Sequence, residues 1–190
     1  MTEQRPKVWS RRTVMGSGAA ALAAAGLAHG PQALAQRSGT GSGGIGGGGI
    51  AKWAGGQATF SLFAARLTLP GGKLVFIGRI QWVDPAWQGS GLTLETATIS
   101  SYLPLPNNAR GREIKGTMKV NGSGAAPFVM HAFDNGPPGS GKDAVDLRVG
   151  AAALGTPEAG ATGTPAAVSY SATATVSAGD IELVTIELPT

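Results

Sequence analysis

The 190-residue chain contains no cysteine and only two histidines. Without cysteine the protein has no thiol nucleophile, no disulfide and no thiol on which a lipid anchor could be built. His29 lies in a segment that we expect to be removed, which leaves His131 alone and excludes a histidine-rich metal site. No serine stands in a Gly-x-Ser-x-Gly elbow. The sequence therefore predicts a protein that is not an enzyme and that needs no cofactor.

A helical period is also missing from the chain beyond residue 35, while alternation of apolar and polar residues is common there. Residues 113–120 show the pattern clearly, since Ile114, Met118 and Val120 alternate with charged or hydroxylated neighbours. Such alternation is typical of strands with one buried face. We therefore expect an all-β protein.

Residues 1–35 are predicted to be a twin-arginine signal peptide. Arg11 and Arg12 lie in a Ser-Arg-Arg-Thr-Val-Met pattern, an Ala/Gly-rich apolar stretch follows, and Ala33 and Ala35 frame a small-x-small cleavage site. The apolar stretch is short and rich in glycine for a bilayer span, so we expect no stable membrane anchor, although an uncleaved anchor is the alternative. The expected partner is the twin-arginine export machinery, and the expected location is extracellular, periplasmic or at the cell surface.

The positive charge of the chain comes mostly from this segment. The formal net charge of the whole chain is +4, and without residues 1–35 it falls to +1. A nearly neutral body gives no electrostatic reason to expect nucleic-acid binding. We therefore predict no nucleic-acid partner.

Residues 36–54 are glycine-rich and are predicted to form a flexible linker, followed by a single antiparallel β-domain over residues 55–190. Residues 151–167 are expected to be a flexible loop within it. About eight strands are expected, joined mostly by short turns: 58–68, 73–83, 92–103, 113–120, 128–134, 144–149, 168–177 and 181–188. A change of phase between Leu94 and Ala97 suggests a bulge. Consecutive antiparallel strands favour an up-and-down barrel, with a β-sandwich as the alternative.

The segment Gly136-Pro-Pro-Gly-Ser-Gly-Lys142 has the spacing of a phosphate-binding loop but not its context. Asp143 stands where a Ser or Thr hydroxyl should meet magnesium, and two prolines remove backbone donors. Residues 144–149 then alternate like a strand, whereas a phosphate loop leads into a helix. We therefore interpret this segment as a loop between two strands.

The same loop carries side chains that could hold a cation. Asp134, Asn135 and Asp143, with Asp146 as a further candidate, offer oxygen ligands of the kind that calcium prefers. Their spacing is not that of a calcium-binding loop and their carboxylates are few. A calcium site is therefore a second interpretation, beside a purely structural turn.

Tryptophan is the residue type that most suggests ligand binding here. Trp82 has the phase of Phe76 and Ile80 and is expected in the core, whereas Trp87 lies in the loop that follows and is the candidate ligand-binding residue. Trp53 stands at the start of the predicted domain. A solvent-facing tryptophan at position 87 would favour recognition of cell-wall glycan or another carbohydrate.

Several segments of the chain resemble the post-COAP domain family of exported bacterial proteins. The similarity lies in Gly55–Phe60, Gly71–Trp82, Gly116–Gly122, Phe128–Asp143 with its Asp-Asn-Gly-Pro-Pro-Gly centre, and Ala178–Leu183. It departs from the family pattern at Ser140-Gly141-Lys142 and in the length of residues 151–167. The resemblance implies a secreted or surface-associated β-domain and carries no established catalytic role.

Three functions are compatible with these observations. The first is an exported, non-catalytic structural or interaction module at the cell surface, with another surface protein as its partner. The second is a carbohydrate or small-ligand binder that uses Trp87 and neighbouring loops, or a barrel interior that holds one small apolar ligand. The third is a secreted hydrolase, which would need two opposed carboxylates in a cleft.

Overall fold

The structure is a computed structural model, and it describes residues 42–154 and 168–187. In these residues the fold is an antiparallel β-barrel of eight strands in which every strand pairs with its neighbours in sequence and the last strand pairs with the first. The predicted all-β, barrel-like fold is thus confirmed. The strands are β1 (Gly43–Trp53), β2 (Gly56–Thr68), β3 (Leu74–Asp84), β4 (Leu92–Leu105), β5 (Asn108–Val120), β6 (Ser123–Phe133), β7 (Ala144–Gly150) and β8 (Ser169–Thr185).

The predicted signal peptide and residues 155–167 lie outside the described residues. A short helix, α1 (Ala151–Leu154), follows β7. No helix in the described ranges is both long enough and apolar enough to cross a membrane.

Strand β1 corrects the prediction of a flexible linker over residues 36–54. Residues 43–53 pair with β2 on one side and residues 43–52 pair with β8 on the other, and so this strand closes the barrel. The glycines of β1 are used for close approach: a Cβ atom at Gly49 would overlap the carbonyl oxygen of Ala178, and one at Gly48 would lie 2.8 Å from that of Phe60. Composition predicts flexibility, but here two neighbouring strands hold the glycines in place.

Strand β8 corrects a second prediction, because Ser169–Thr185 form one long strand where two strands, 168–177 and 181–188, were expected. Its pairing with β1 continues through Ala178 and Gly179, with a register shift opposite Ile50 and Ala51. The sequence Ala-Gly-Asp has turn chemistry, yet it forms an irregularity within the strand because β1 offers a continuous partner. The number of strands was therefore predicted correctly although two of the assignments were wrong.

Other local predictions are confirmed. Asn121 and Gly122 join β5 to β6 in a two-residue turn, with φ angles of 48° and 79°, as a type I′ hairpin requires. β4 changes register between Thr96 and Thr98, within the predicted phase slip. A strand begins at Ala144, so no helix follows Lys142 and the phosphate-loop interpretation stays excluded by its context.

The barrel interior is filled by side chains. Ile80, Trp82, Phe128, Met130 and Leu147 are among the residues whose side chains are fully buried there. Because inward side chains from the described strands occupy the centre, this core does not favour the idea of one apolar ligand held inside the barrel.

The ladder between β3 and β4 is short and lies at one end of the barrel. Gln81–Asp84 pair with Leu92–Glu95. The ladder ends at Ile80, whose backbone groups bond to the side chain of Thr96 and not to its backbone. The Thr96 hydroxyl accepts a hydrogen bond from the Ile80 N–H at 2.9 Å and donates one to the Ile80 carbonyl at 3.2 Å. The β3–β4 ladder anchors loop 85–91 at one end of the barrel. The β1–β2 hairpin and the start of β8 lie at the same end. We call it the mouth end.

Candidate functional site

Aromatic side chains gather at the mouth end. The fully buried Trp82 lies with its ring centroid 5.9 Å from that of Trp53 and 6.0 Å from that of Phe60. The Tyr170 ring lies edge-on between two indoles, 6.4 Å from Trp82 and 6.4 Å from Trp87. The predicted core position of Trp82 is confirmed, and Trp87 is half-buried.

A cavity of about 300 Å³ opens beside this cluster. Its walls include the rings of Trp53 and Trp87, and its buried part is formed by Asp84 and Tyr170, each 4% exposed. Exposed polar side chains, namely Gln88, Ser169 and Ser171, complete the lining. We call this cavity the mouth site; it combines aromatic faces with hydrogen-bonding groups, as binding pockets usually do.

A chain of hydrogen bonds fixes the buried side of the mouth site. The Trp82 Nε1–H donates to the Tyr170 hydroxyl at 2.8 Å, and that hydroxyl donates to Asp84 Oδ2 at 3.2 Å. Burial, together with the neighbouring Asp84 carboxylate, raises the pKa of Tyr170 well above its usual value. The phenol is therefore protonated across the physiological range and serves as a donor toward Asp84.

Loop 85–91 is held in one conformation by its own hydrogen bonds. The Ala86 N–H donates to Asp84 Oδ1 at 3.0 Å, and the Ser90 and Gly91 N–H groups donate to the Trp87 carbonyl. Gln88 adopts a left-handed conformation with φ of 49°, which is uncommon for a residue with a side chain. Uncommon backbone conformations that the surroundings enforce are frequent at binding sites. The loop thus holds Trp87 and Gln88 at defined positions in the cavity lining.

The predicted cation residues lie at the opposite end of the barrel, in the loop between β6 and β7. Asp143 accepts hydrogen bonds from the Asn135 N–H at 2.8 Å and from the Ile181 N–H at 2.9 Å. Asp134 accepts from the Leu183 N–H at 3.2 Å and pairs with Arg110 at 2.6 Å. The two carboxylates therefore accept hydrogen bonds from the Ile181 and Leu183 N–H groups of β8, which would otherwise need a neighbouring strand.

This arrangement gives no support to a calcium site. The described residues contain no cluster of three or more His, Asp or Glu side chains placed to hold a metal ion. Both oxygens of Asp134 and of Asp143 already accept hydrogen bonds from protein donors. Asn135 uses its side-chain amide to donate to the Lys142 carbonyl at 3.2 Å. The geometry therefore favours a structural turn over a calcium site.

His131 lies on the outer wall, on the face opposite Phe128 and Met130 as predicted. Its two ring nitrogens face Glu113 Oε2 at 3.3 Å and Asp146 Oδ2 at 3.6 Å. Glu113 and Asp146 also pair with Lys115 and Arg148. The cluster is a network of opposite charges across neighbouring strands, and it lies on the outer wall, away from the aromatic cluster of the mouth end.

Sequence reasoning identified Trp87 but missed Asp84, Tyr170, Ser169 and Ser171. The sequence did contain a signal for Asp84 and Tyr170, namely their place in the alternating pattern. Asp84 has the inward phase of Trp82, and Tyr170 has that of the buried Ala172. A charged or hydroxylated side chain in an otherwise apolar inward series needs a partner. That partner could not be inferred, because Tyr170 and Asp84 are 86 positions apart.

Comparison with protein-family models, with curated protein sequences and with solved structures gave no match in any of the three.

Proposed function

We propose that this chain is an exported, non-catalytic β-barrel that binds carbohydrate at its mouth site. The observation that carries this proposal is the cavity in which Trp53 and Trp87 stand beside Asp84, Tyr170 and polar side chains. Indole faces contact the C–H faces of sugar rings, while carboxylate, hydroxyl and amide groups bind their hydroxyls. A site of this kind suits soluble or cell-wall glycan.

Export is supported by the first 35 residues. Arg11 and Arg12 provide the twin-arginine pattern, and Ala33 and Ala35 provide the cleavage site. The resemblance of several segments to the post-COAP family points the same way. An exported location would bring the mouth site into contact with extracellular or cell-wall glycan.

A binding role is preferred to hydrolysis because of the acids at the mouth. Asp84 is the one carboxylate among the described residues that line the cavity. Both its oxygens accept hydrogen bonds from the protein, one from Ala86 and one from Tyr170. Glycoside hydrolysis normally uses two carboxyl groups on opposite sides of the bond.

The proposal is tested by calorimetric titration of the protein with soluble oligosaccharides of neutral and amino sugars. Trp87→Ala is expected to weaken binding about tenfold, because it removes one aromatic wall. Phe63→Ala is the matched control, since Phe63 is an exposed aromatic residue on the outer wall of β2. If none of the oligosaccharides binds, or if both variants lose affinity equally, carbohydrate binding at the mouth site is wrong.

A structural or interaction module is the second candidate. Phe63 and Ile77 are 40% and 39% exposed, and they lie diagonally across the β2–β3 ladder, where Phe63 pairs with Arg79 and Ile77 with Ala65. Neighbouring apolar side chains on an outer wall are a feature of contact surfaces. Light scattering of the protein and of a Phe63→Ser/Ile77→Ser variant tests self-association; a monomer in both cases removes this support.

A further inference from the structure

The mouth site carries a negative charge that no cation in the described residues neutralises. Asp84 is 4% exposed and takes part in none of the ion pairs between described side chains. The described residues that line the cavity include no lysine, arginine or histidine. A buried carboxylate without a cationic partner is costly, and a ligand that supplies a positive charge would offset that cost.

Asp84 has acceptor capacity left for such a ligand. A carboxylate can accept about four hydrogen bonds. Asp84 accepts one from the Ala86 N–H at 3.0 Å and one from the Tyr170 hydroxyl at 3.2 Å. The Tyr170 hydroxyl is itself oriented by the Trp82 Nε1–H, so the carboxylate is held at a fixed place in the cavity lining. An ammonium group, with three N–H donors, matches the remaining acceptor sites.

The aromatic walls favour the same charge. Trp53, Trp87 and Tyr170 border the cavity, and indole and phenol faces attract cations through the ring quadrupole. The ring faces and the Asp84 carboxylate both favour a positive charge, and the described lining offers an anionic ligand no charged partner. A neutral sugar would use the ring faces and the polar groups but would leave the carboxylate unneutralised.

We infer that the mouth site is selective for cationic saccharides, that is, for sugars that carry a protonated amino group. This inference rests on the proposed carbohydrate-binding function. The sugar ring would contact Trp53 and Trp87, the ammonium group would pair with Asp84, and the hydroxyls would reach Ser169, Ser171 and Gln88.

Calorimetry on the full chain tests the selectivity with three matched ligand series. These are glucosamine oligosaccharides, the N-acetylated oligosaccharides of the same length, and glucose oligosaccharides with the same linkage, near pH 6, where the amine is protonated. We expect glucosamine oligomers to bind about 10- to 100-fold more tightly than either neutral series, as one charge-assisted hydrogen bond allows. The difference should shrink as salt is added.

Asp84→Asn should abolish this preference, so that the glucosamine oligomers bind no more tightly than either neutral series. Asp146→Asn is the charge-matched control, because Asp146 lies on the outer wall, and it should keep the preference. Should Asp84→Asn fail to fold, the comparison of the three ligand series on the unaltered protein still decides the matter.

The outcomes separate the two proposals. If no oligosaccharide binds, the proposed function is wrong and the inference falls with it. If all three series bind equally, carbohydrate binding stands and the cationic selectivity is overturned. If choline binds as tightly as the glucosamine oligomers, the site recognises a cation without a sugar ring, which also overturns the inference.

Discussion

At the scale of single residues, Asp180 stands out because one oxygen of its carboxylate is buried without a donor in the part of the chain that the structure describes. Its Oδ1 atom is buried without a hydrogen-bond partner among the described residues, and the Asp143 carboxylate is its neighbour. Burial, with added repulsion from Asp143 and Glu182, raises the pKa of Asp180 to about 7. Protonation would turn this side chain into a donor toward Asp143.

The raised pKa predicts a pH dependence of stability. The unfolded pKa is about 3.9, so the folded state binds more protons between about pH 4 and 7, and the free energy of unfolding falls as the pH rises through that window. Asp180→Asn should remove this decline and stabilise the protein by roughly 1–3 kcal/mol at about pH 8. Urea denaturation near pH 5 and pH 8 measures the difference. Glu187→Gln is the control, because Glu187 is exposed. If the stability of Asp180→Asn depends on pH as that of the unaltered protein does, Asp180 is not the group responsible.

Tyr170 and Tyr102 form a natural pair for a second experiment. The Tyr170 hydroxyl accepts from Trp82 and donates to Asp84, so Tyr170→Phe removes the acceptor of the Trp82 Nε1–H and one of the two donors to Asp84. It should cost about 1–3 kcal/mol of unfolding free energy. The Tyr102 hydroxyl is buried near the Arg112 guanidinium but makes no hydrogen bond of good geometry with a described residue, so Tyr102→Phe should cost less than Tyr170→Phe. Chemical denaturation of the two variants compares them, and equal losses would show that the hydrogen bonds are not the cause.

At the scale of the elements, β1 shows how glycine can build a strand. Composition marks residues 43–49 as flexible, yet the missing side chains of their glycines are what allow β2 and β8 to approach from both sides. The β6–β7 loop shows a related solution, because Asp134 and Asp143 supply acceptors where β8 has no neighbouring strand. Both elements complete the barrel wall by means that local sequence does not reveal.

Two glycines of β1 test this account. A Cβ atom at Gly49 would overlap the Ala178 carbonyl, whereas one at Gly46 would have only ordinary contacts, at 3.8 Å from the Leu62 carbonyl oxygen and 3.9 Å from the Phe63 ring. Gly49→Ala should therefore lower the unfolding free energy by about 2 kcal/mol or more. Gly46→Ala should be tolerated or stabilise by about 0.5 kcal/mol through the unfolded chain. Thermal melting distinguishes them, and similar melting temperatures would refute close approach as the role of Gly49.

At the scale of the whole molecule, the barrel closes by pairing its first strand with its last. Residues 43–52 meet residues 175–185, so closure has to wait until nearly the whole chain is available. A barrel that is complete only when β8 pairs with β1 is compatible with the export route proposed above, which carries folded proteins.

This expectation leads to a test of export. An Arg11→Lys/Arg12→Lys variant should keep the barrel fold and lose export, because the paired arginines are what the twin-arginine machinery recognises. Cell fractionation and immunoblotting of the two forms measure it, with Lys52→Arg as a control in the body of the protein. Export of the double variant at the level of the unaltered protein would show that another route is used.

Much of the fold could be predicted because alternation is a local property. The inward series of β3, with Ile80 and Trp82, and the Asn121-Gly122 turn are visible in consecutive residues. The mouth site was less accessible to such reasoning. Trp87 could be identified as a tryptophan in a loop. Its part in a binding cavity depends on contact with Tyr170, which is distant in the sequence.

The alternating strands, the turns between them and the absence of thiol chemistry follow from the sequence alone, because each depends on residues close together in the chain. Tertiary structure decided that a glycine-rich segment is a strand, that two aspartates bond to β8, and that Asp84, Tyr170 and two tryptophans border one cavity. Those outcomes depend on which strands become neighbours when the sheet closes. Closure is a property of the whole chain, since it requires the first and last strands to meet.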